Sequence, residues 1–210
     1  MVVRTAKWSS GQGRLELGRT LPSLLAEAAS ERPNERAFND RVSPVPGKPG
    51  GPGLPWTTVS TGELKRRAEA MAAGLRAMGL SRGDRVALFT HSDMSFVLAD
   101  MACMVGGLID VPIYLTHTPE AMRFILGESG TAAVLVSDSA VLAQVLAVTE
   151  GLESVRLIAV ANVGEEGLPD ASGGGPRPLV TDYADVIARG ERALAEHPDL
   201  PERYAAEQHA

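Results

Sequence analysis

From Ser60 onward the apolar positions follow two alternating rhythms. Leu64, Ala68, Met71, Leu75 and Met78 are spaced four, three, four and three residues apart, the period of one face of an α-helix. Ser60 stands where its hydroxyl caps the first free amides, with Glu63 placed to reach back in a capping box. After the turn Ser81-Arg82-Gly83-Asp84 the rhythm changes. Val86, Ala87, Leu88 and Phe89 run without polar alternation, which predicts a strand from Arg85 to Thr90 buried on both faces. Similar runs recur at Leu108 to Ile113, Ala132 to Val136 and Val155 to Val160, so strands start at 85, 108, 132 and 155. Between them Asp93 to Val105, Pro119 to Gly127 and Asp138 to Val148 are each long enough for a helix, and Thr118-Pro119-Glu120 is a helix start.

Parallel strands need such crossovers. The pattern therefore predicts an α/β fold: an open, largely parallel sheet in three layers with crossover helices. Upstream, Ala37 to Val42 and Trp56 to Val59 read as two antiparallel strands joined by an expanded loop, because nine of the twelve residues from Pro44 to Pro55 are Gly or Pro. Gly173 to Pro178, with five Gly or Pro in six, separates the body from the remainder. The expected organisation is an N-terminal arm, first helix and hairpin loop over 1–55, the parallel body over 56–165, and a linker and polar tail over 166–210. Tyr204 to Ala210 shows no pattern of a closing strand or packed helix. A sheet left so open exposes an edge and an apolar face, from which aggregation and hydrophobic-dye binding are expected.

Composition narrows the partners. With 20 basic and 26 acidic residues the net charge is -6, and no polybasic run occurs, which argues against a nucleic-acid surface. The oiliest segment, Phe96 to Ile113, is broken by Asp100, Gly106, Gly107 and Asp110 and reads as buried helix plus strand rather than a membrane span. The first residues lack the apolar stretch of a signal peptide. One cysteine, Cys103, forms no internal disulfide, and a reducing, cytoplasmic location is expected.

Catalytic constellations are nearly lacking. Gly47-Lys48 is followed by Pro49 and makes no phosphate-binding loop, Gly11-Gln12-Gly13 lacks a third glycine, and no G-x-S-x-G elbow or metal-ligand spacing occurs. Cys103 among Met101, Ala102, Met104 and Val105 reads as a packing residue. Asp100 and Asp110 read as solvent-facing or capped carboxylates, with a functional role the alternative. Sites in parallel sheets form beyond the carboxyl ends of the strands, which singles out His91 and Ser92, Tyr114 to His117, and Ser137. His91 and Ser92 either cap the next helix or line a site, and no partner acid for His91 is identifiable. Tyr114 serves equally as the wall of a cleft or as packing, while Ser137 and Asp138 read as helix caps.

Specific wording then emerges. Trp56-Thr57-Thr58-Val59-Ser60-Thr61-Gly62-Glu63-Leu64 resembles the "W-T-Y-x-E-L" entrance of adenylate-forming acyl-CoA synthetases, and Ala73 to Leu88 resembles their "A-x-x-L-x-x-L-G-v-x-x-G-D-R-V-A" passage. Val111-Pro112-Ile113-Tyr114-Leu115-Thr116, followed by Thr118-Pro119-Glu120, is similar to the "V-P-I-Y-x-T-x-T-P-E" segment of the long-chain fatty-acid branch. The matches span about Leu21 to Val160.

The resemblance implies the first part of the adenylate-forming enzymes' N-terminal domain. It also implies a ligase that joins a fatty acid to AMP, with Mg2+ accompanying ATP, and then passes the acyl group to coenzyme A. Self-association as a homodimer and peripheral membrane contact through the lipid substrate belong to the same expectation. The chain departs from the family in one respect: no "T-S-G-T-T-G-x-P-K-G" occurs between Met1 and Ala210, and the later motifs are missing with it. The expectation is an amino-terminal portion that is inactive alone, with no catalytic residue or metal ligand to carry over. His91, Tyr114 and Thr116 are left as candidates for the wall of an acyl or pantetheine channel. Two other readings stay open: a non-catalytic interaction module on the ligase scaffold, and an independent flavodoxin- or Rossmann-like binding domain. Against the second, the first βα turn, Thr90-His91-Ser92-Asp93, has no glycine.

Overall fold

The computed structural model describes residues 20–40, 55–164, 167–168 and 178–208. The elements in chain order are α1 (Leu21–Glu31), β1 (Arg36–Asp40), β2 (Thr57–Ser60), α2 (Thr61–Ala77), β3 (Arg85–Phe89), α3 (Met94–Gly106) and β4 (Ile109–Pro112). They continue with α4 (Pro119–Glu128), β5 (Ala133–Asp138), α5 (Ser139–Thr149), β6 (Leu157–Asn162), β7 (Leu179–Asp182), α6 (Tyr183–Glu196) and α7 (Leu200–Gln208). β1 and β2 form the expected antiparallel pair. The Gly/Pro-rich stretches at Pro44 to Pro55 and Gly173 to Pro178 lie, apart from Pro55 and Pro178, outside the described residues.

Five strands form one sheet in the order β4-β3-β5-β6-β7, every neighbouring pair parallel. Strict alternation divides the sheet residues between two cores. Val86, Leu88, Ala133, Leu135, Leu157 and Ala159 point to the face covered by α2, α3 and α6. Ala87, Phe89, Val134, Val136, Ile158 and Val160 point to the face covered by α4 and α5. β5 is buried along its whole length because it has neighbours on both sides and helices on both faces. The chain moves from β3 to β4 over the first face, then back across β3 to β5 over the second. A constant crossover hand requires that change of face, and it places the reversal of direction between β3 and β5.

Three expectations change. β4 is an edge strand and only partly buried, since its apolar run has a neighbour on one side alone. Ser60 does cap α2, its Oγ accepting from the Glu63 N–H at 3.2 Å, but the Glu63 carboxylate pairs with Arg67 one turn on. The capping box is at α1 instead, where Thr20 and Ser23 bond each other's backbone N–H. The polar tail expected over 166–210 contains a fifth strand and two packed helices. Tyr183 and Val186 of α6 enter the first core, and Leu200 and Tyr204 of α7 pack with Ala73. The polar majority of these helices hid a narrow buried stripe. With α6 in place the apolar face expected to be open is covered.

The crossing of α2 and α6 is close because glycine stands on both sides of it. A Cβ on Gly190 would lie 1.7 Å from the Ala70 carbonyl oxygen, and one on Gly74 would lie 1.9 Å from that of Val186. α7 is held more by polar groups. Arg76 donates to Glu207 at 2.8 and 3.2 Å and to the Gly106 carbonyl at 3.2 Å, and its guanidinium lies 4.7 Å from the centre of the Tyr204 ring. Gln208 Nε2 donates to the Met104 carbonyl at 3.0 Å, adding to the Gly107 N–H that this carbonyl already accepts at 3.3 Å, so α7 braces the end of α3.

Candidate functional site

The strand order reverses between β3 and β5, and in doubly wound sheets ligands usually bind at the carboxyl ends of the strands beside such a reversal. Backbone pairing of Phe89 with Val136 sets His91 level with Asp138. His91 Nε2 lies 3.4 Å from Asp138 Oδ2, with 47% of the imidazole side chain exposed against 12% of the carboxylate. Asp138 is fixed from several sides. Its Oδ1 accepts the Ala140 and Val141 N–H groups at 2.9 and 3.0 Å, and its Oδ2 accepts from Ser137 Oγ at 3.2 Å. The ties continue across the sheet: Asn162 Nδ2 donates to the Ser137 carbonyl at 2.9 Å, and the Gly164 N–H to Ser139 Oγ at 3.2 Å.

The expectation that His91 has no acid partner is therefore overturned. The partner is 47 residues away in sequence and becomes adjacent only because β5, not β4, follows β3 on that side. Neither His91 nor Ser92 caps α3; Asp93 does, accepting the Ser95 N–H at 2.9 Å. Asp138 caps α5 as expected.

Tyr114 and Thr116 stand in the turn after β4, both exposed, and Tyr114 is 77% exposed. The Tyr114 ring is 5.8 Å from that of His117, tilted by 51°, and the His117 N–H closes the turn on the Tyr114 carbonyl at 3.1 Å. The candidates thus all lie at the carboxyl end of the sheet, in two groups: His91 with Asp138, and Tyr114 and Thr116 with His117. Concavities of about 520 Å³ between α1 and α2 and about 370 Å³ beneath α7 lie elsewhere.

Cys103 is fully buried, and burial pushes its thiol far above the usual range, so it has no thiolate to offer as a nucleophile. Among the described residues no three His, Cys, Asp or Glu side chains gather into a metal site. No helix among the described residues is long and apolar enough to cross a membrane.

The pattern defining AMP-binding enzymes matches residues 25–198, most of the chain. The chain belongs to the AMP-binding enzyme family. Its relatives include a peroxisomal long chain acyl-CoA synthetase of Arabidopsis thaliana, 28% identical over 70% of this chain and 20% of that protein. A long-chain-fatty-acid–CoA ligase of Mycobacterium bovis is 34% identical over 40% of this chain and 14% of the ligase. A salicyl-AMP ligase of Mycobacterium tuberculosis is 32% identical over 59% of this chain and 20% of its own length. The matched region thus spans a fifth or less of these family members. Among solved structures, the adenylation domain of a carboxylate reductase from Mycobacterium chelonae superposes with a TM-score of 0.69 at 24% identity, over 84% of this chain and 30% of the other. The corresponding region of a Segniliparus rugosus carboxylic acid reductase, solved with AMP, gives 0.70 at 22% identity over 84% and 27%. Both confirm the fold, an adenylation-domain sheet with its helices.

Proposed function

We propose that this chain is the amino-terminal, parallel-sheet part of an ATP-dependent long-chain fatty-acid CoA ligase. In the complete enzyme the fatty-acid carboxylate displaces pyrophosphate from ATP, giving acyl-AMP, and the thiol of coenzyme A then displaces AMP. Mg2+ accompanies ATP and neutralises charge on the phosphates. The observation that carries this reading is the similarity to a long-chain acyl-CoA synthetase over 70% of the chain and to a long-chain-fatty-acid–CoA ligase over 40%, together with the Val111 to Glu120 wording. Within such an enzyme the chain supplies scaffold, and His91, Tyr114 and Thr116 form part of the wall of an acyl or pantetheine channel. A cytoplasmic homodimer touching membranes only through its lipid substrate fits the acidic charge and the lack of a polybasic run.

Adenylation requires donors preorganised around the triphosphate where charge develops, and no Ser/Thr/Gly-rich loop ending in P-K-G occurs among the 210 residues. Pyrophosphate exchange separates the possibilities. The complete enzyme is expected to exchange pyrophosphate into ATP with a C16 acid and not with salicylate, and the 210-residue chain with neither. Exchange with salicylate alone makes the substrate an aryl acid, and exchange by the isolated chain refutes the need for the loop.

A further inference from the structure

Resting on the ligase reading, we propose that His91 is the proton acceptor for the thiol in the second half-reaction, and that Asp138 is its positioning residue. Three observations carry it. First, the pair sits at the carboxyl ends of β3 and β5, where the strand order reverses. Second, its two members differ as a base and its holder must differ. The Asp138 carboxylate is buried and bonded by two α5 amides and Ser137, so it cannot turn away. The imidazole is half-exposed, with Nε2 facing that carboxylate and Nδ1 without a partner among the described residues. Third, the charged side chain beside the ring is an acid, and Asp93 follows two residues on as the cap of α3. Carboxylates beside an imidazole oppose binding of an anion there, so the pair suits receipt of a proton better than a grip on phosphate.

The step balances without a further reactant. The S–H bond breaks and its proton passes to His91 Nδ1. The sulfur forms a bond to the acyl carbon of the adenylate, the bond from that carbon to the phosphate oxygen breaks, and AMP leaves with the electron pair. The imidazolium then returns its proton to solvent.

The test follows the two half-reactions of the complete ligase separately. With His91 on the pantetheine side of the channel and not the acyl side, His91→Ala is expected to lose about 100-fold in acyl transfer to coenzyme A and less in pyrophosphate exchange with a C16 acid, and to regain part of the transfer rate when imidazole is added. Asp138→Asn keeps a capping side chain on α5 and is expected to slow the same step less, with exchange retained. Unchanged acyl transfer in His91→Ala, a loss that imidazole does not rescue, or an equal loss of both half-reactions overturns the proposal. A parent enzyme without exchange for any acid overturns the ligase reading itself, and the proton-acceptor role falls with it.

Discussion

Asp100 on α3 is partly desolvated and also faces the field of Asp110 on β4, and these causes, in that order, raise its carboxyl above the ordinary range. A raised folded-state pKa means that the charged carboxylate opposes folding. That penalty is present in full above the folded value and disappears as pH falls through it toward the unfolded value, near 3.9. Asp100→Asn is therefore expected to stabilise the chain at pH 7 by a few tenths of a kcal/mol, the scale of solvent-screened charge effects, and to have no advantage by about pH 3.5. Urea unfolding of both proteins at the two pH values checks this, and a variant less stable at pH 7 would show that the carboxylate has a favourable partner. The sequence alone marked Asp100 and Asp110 as unusual in their apolar surroundings but left their mutual field hidden. The two are ten residues apart, and only the turn from α3 into β4 brings them within each other's reach.

At the scale of elements, the legible parts were those whose pattern is local. The α2 stripe, the four short apolar runs and the Thr118-Pro119 helix start became α2, β3 to β6 and α4 within one or two residues. What escaped depended on neighbours distant in sequence, including the edge position of β4 and the packing of α6. β4 also shows how the edge is managed. The Ile109 and Ile113 N–H groups turn inward to Asp84 and Leu88 carbonyls, so Asp110 and Pro112 face outward, and proline has no N–H to offer another strand. α6 carries a sharper prediction. A Cβ on Gly190 would collide with the backbone of Ala70 and Gly74 rather than with a movable side chain. Gly190→Ala is expected to destabilise the chain by about 3 kcal/mol, at the upper end of ordinary overpacking. A denaturant midpoint equal to that of the parent would mean that α2 and α6 can separate without loss.

For the whole molecule, the decisive quantity is whether the sheet finds cover within these 210 residues. Its central strands contribute alternate residues to two cores, one roofed by α2, α3 and α6 and the other by α4 and α5. Among the described residues the large apolar side chains that remain exposed are scattered: Leu21 and Leu24 on α1, Trp56 before β2, Ile109 on β4, Tyr114 after it, Phe124 on α4 and Leu179 on β7. This argues against the dye binding expected from the sequence, where the buried residues of α6 and α7 are few and lie among charged ones. A chain with both faces covered is expected to fold by itself, since the cores require no part of a nucleotide site. The purified chain is expected to unfold in urea in one cooperative step, with hydrophobic-dye emission low in the native state and rising only through the transition. Strong emission at zero denaturant, or a gradual loss of helix signal, would show that α6 does not hold the first core closed. The chain would then need a partner surface to be stable, as an interaction module or an incomplete domain does.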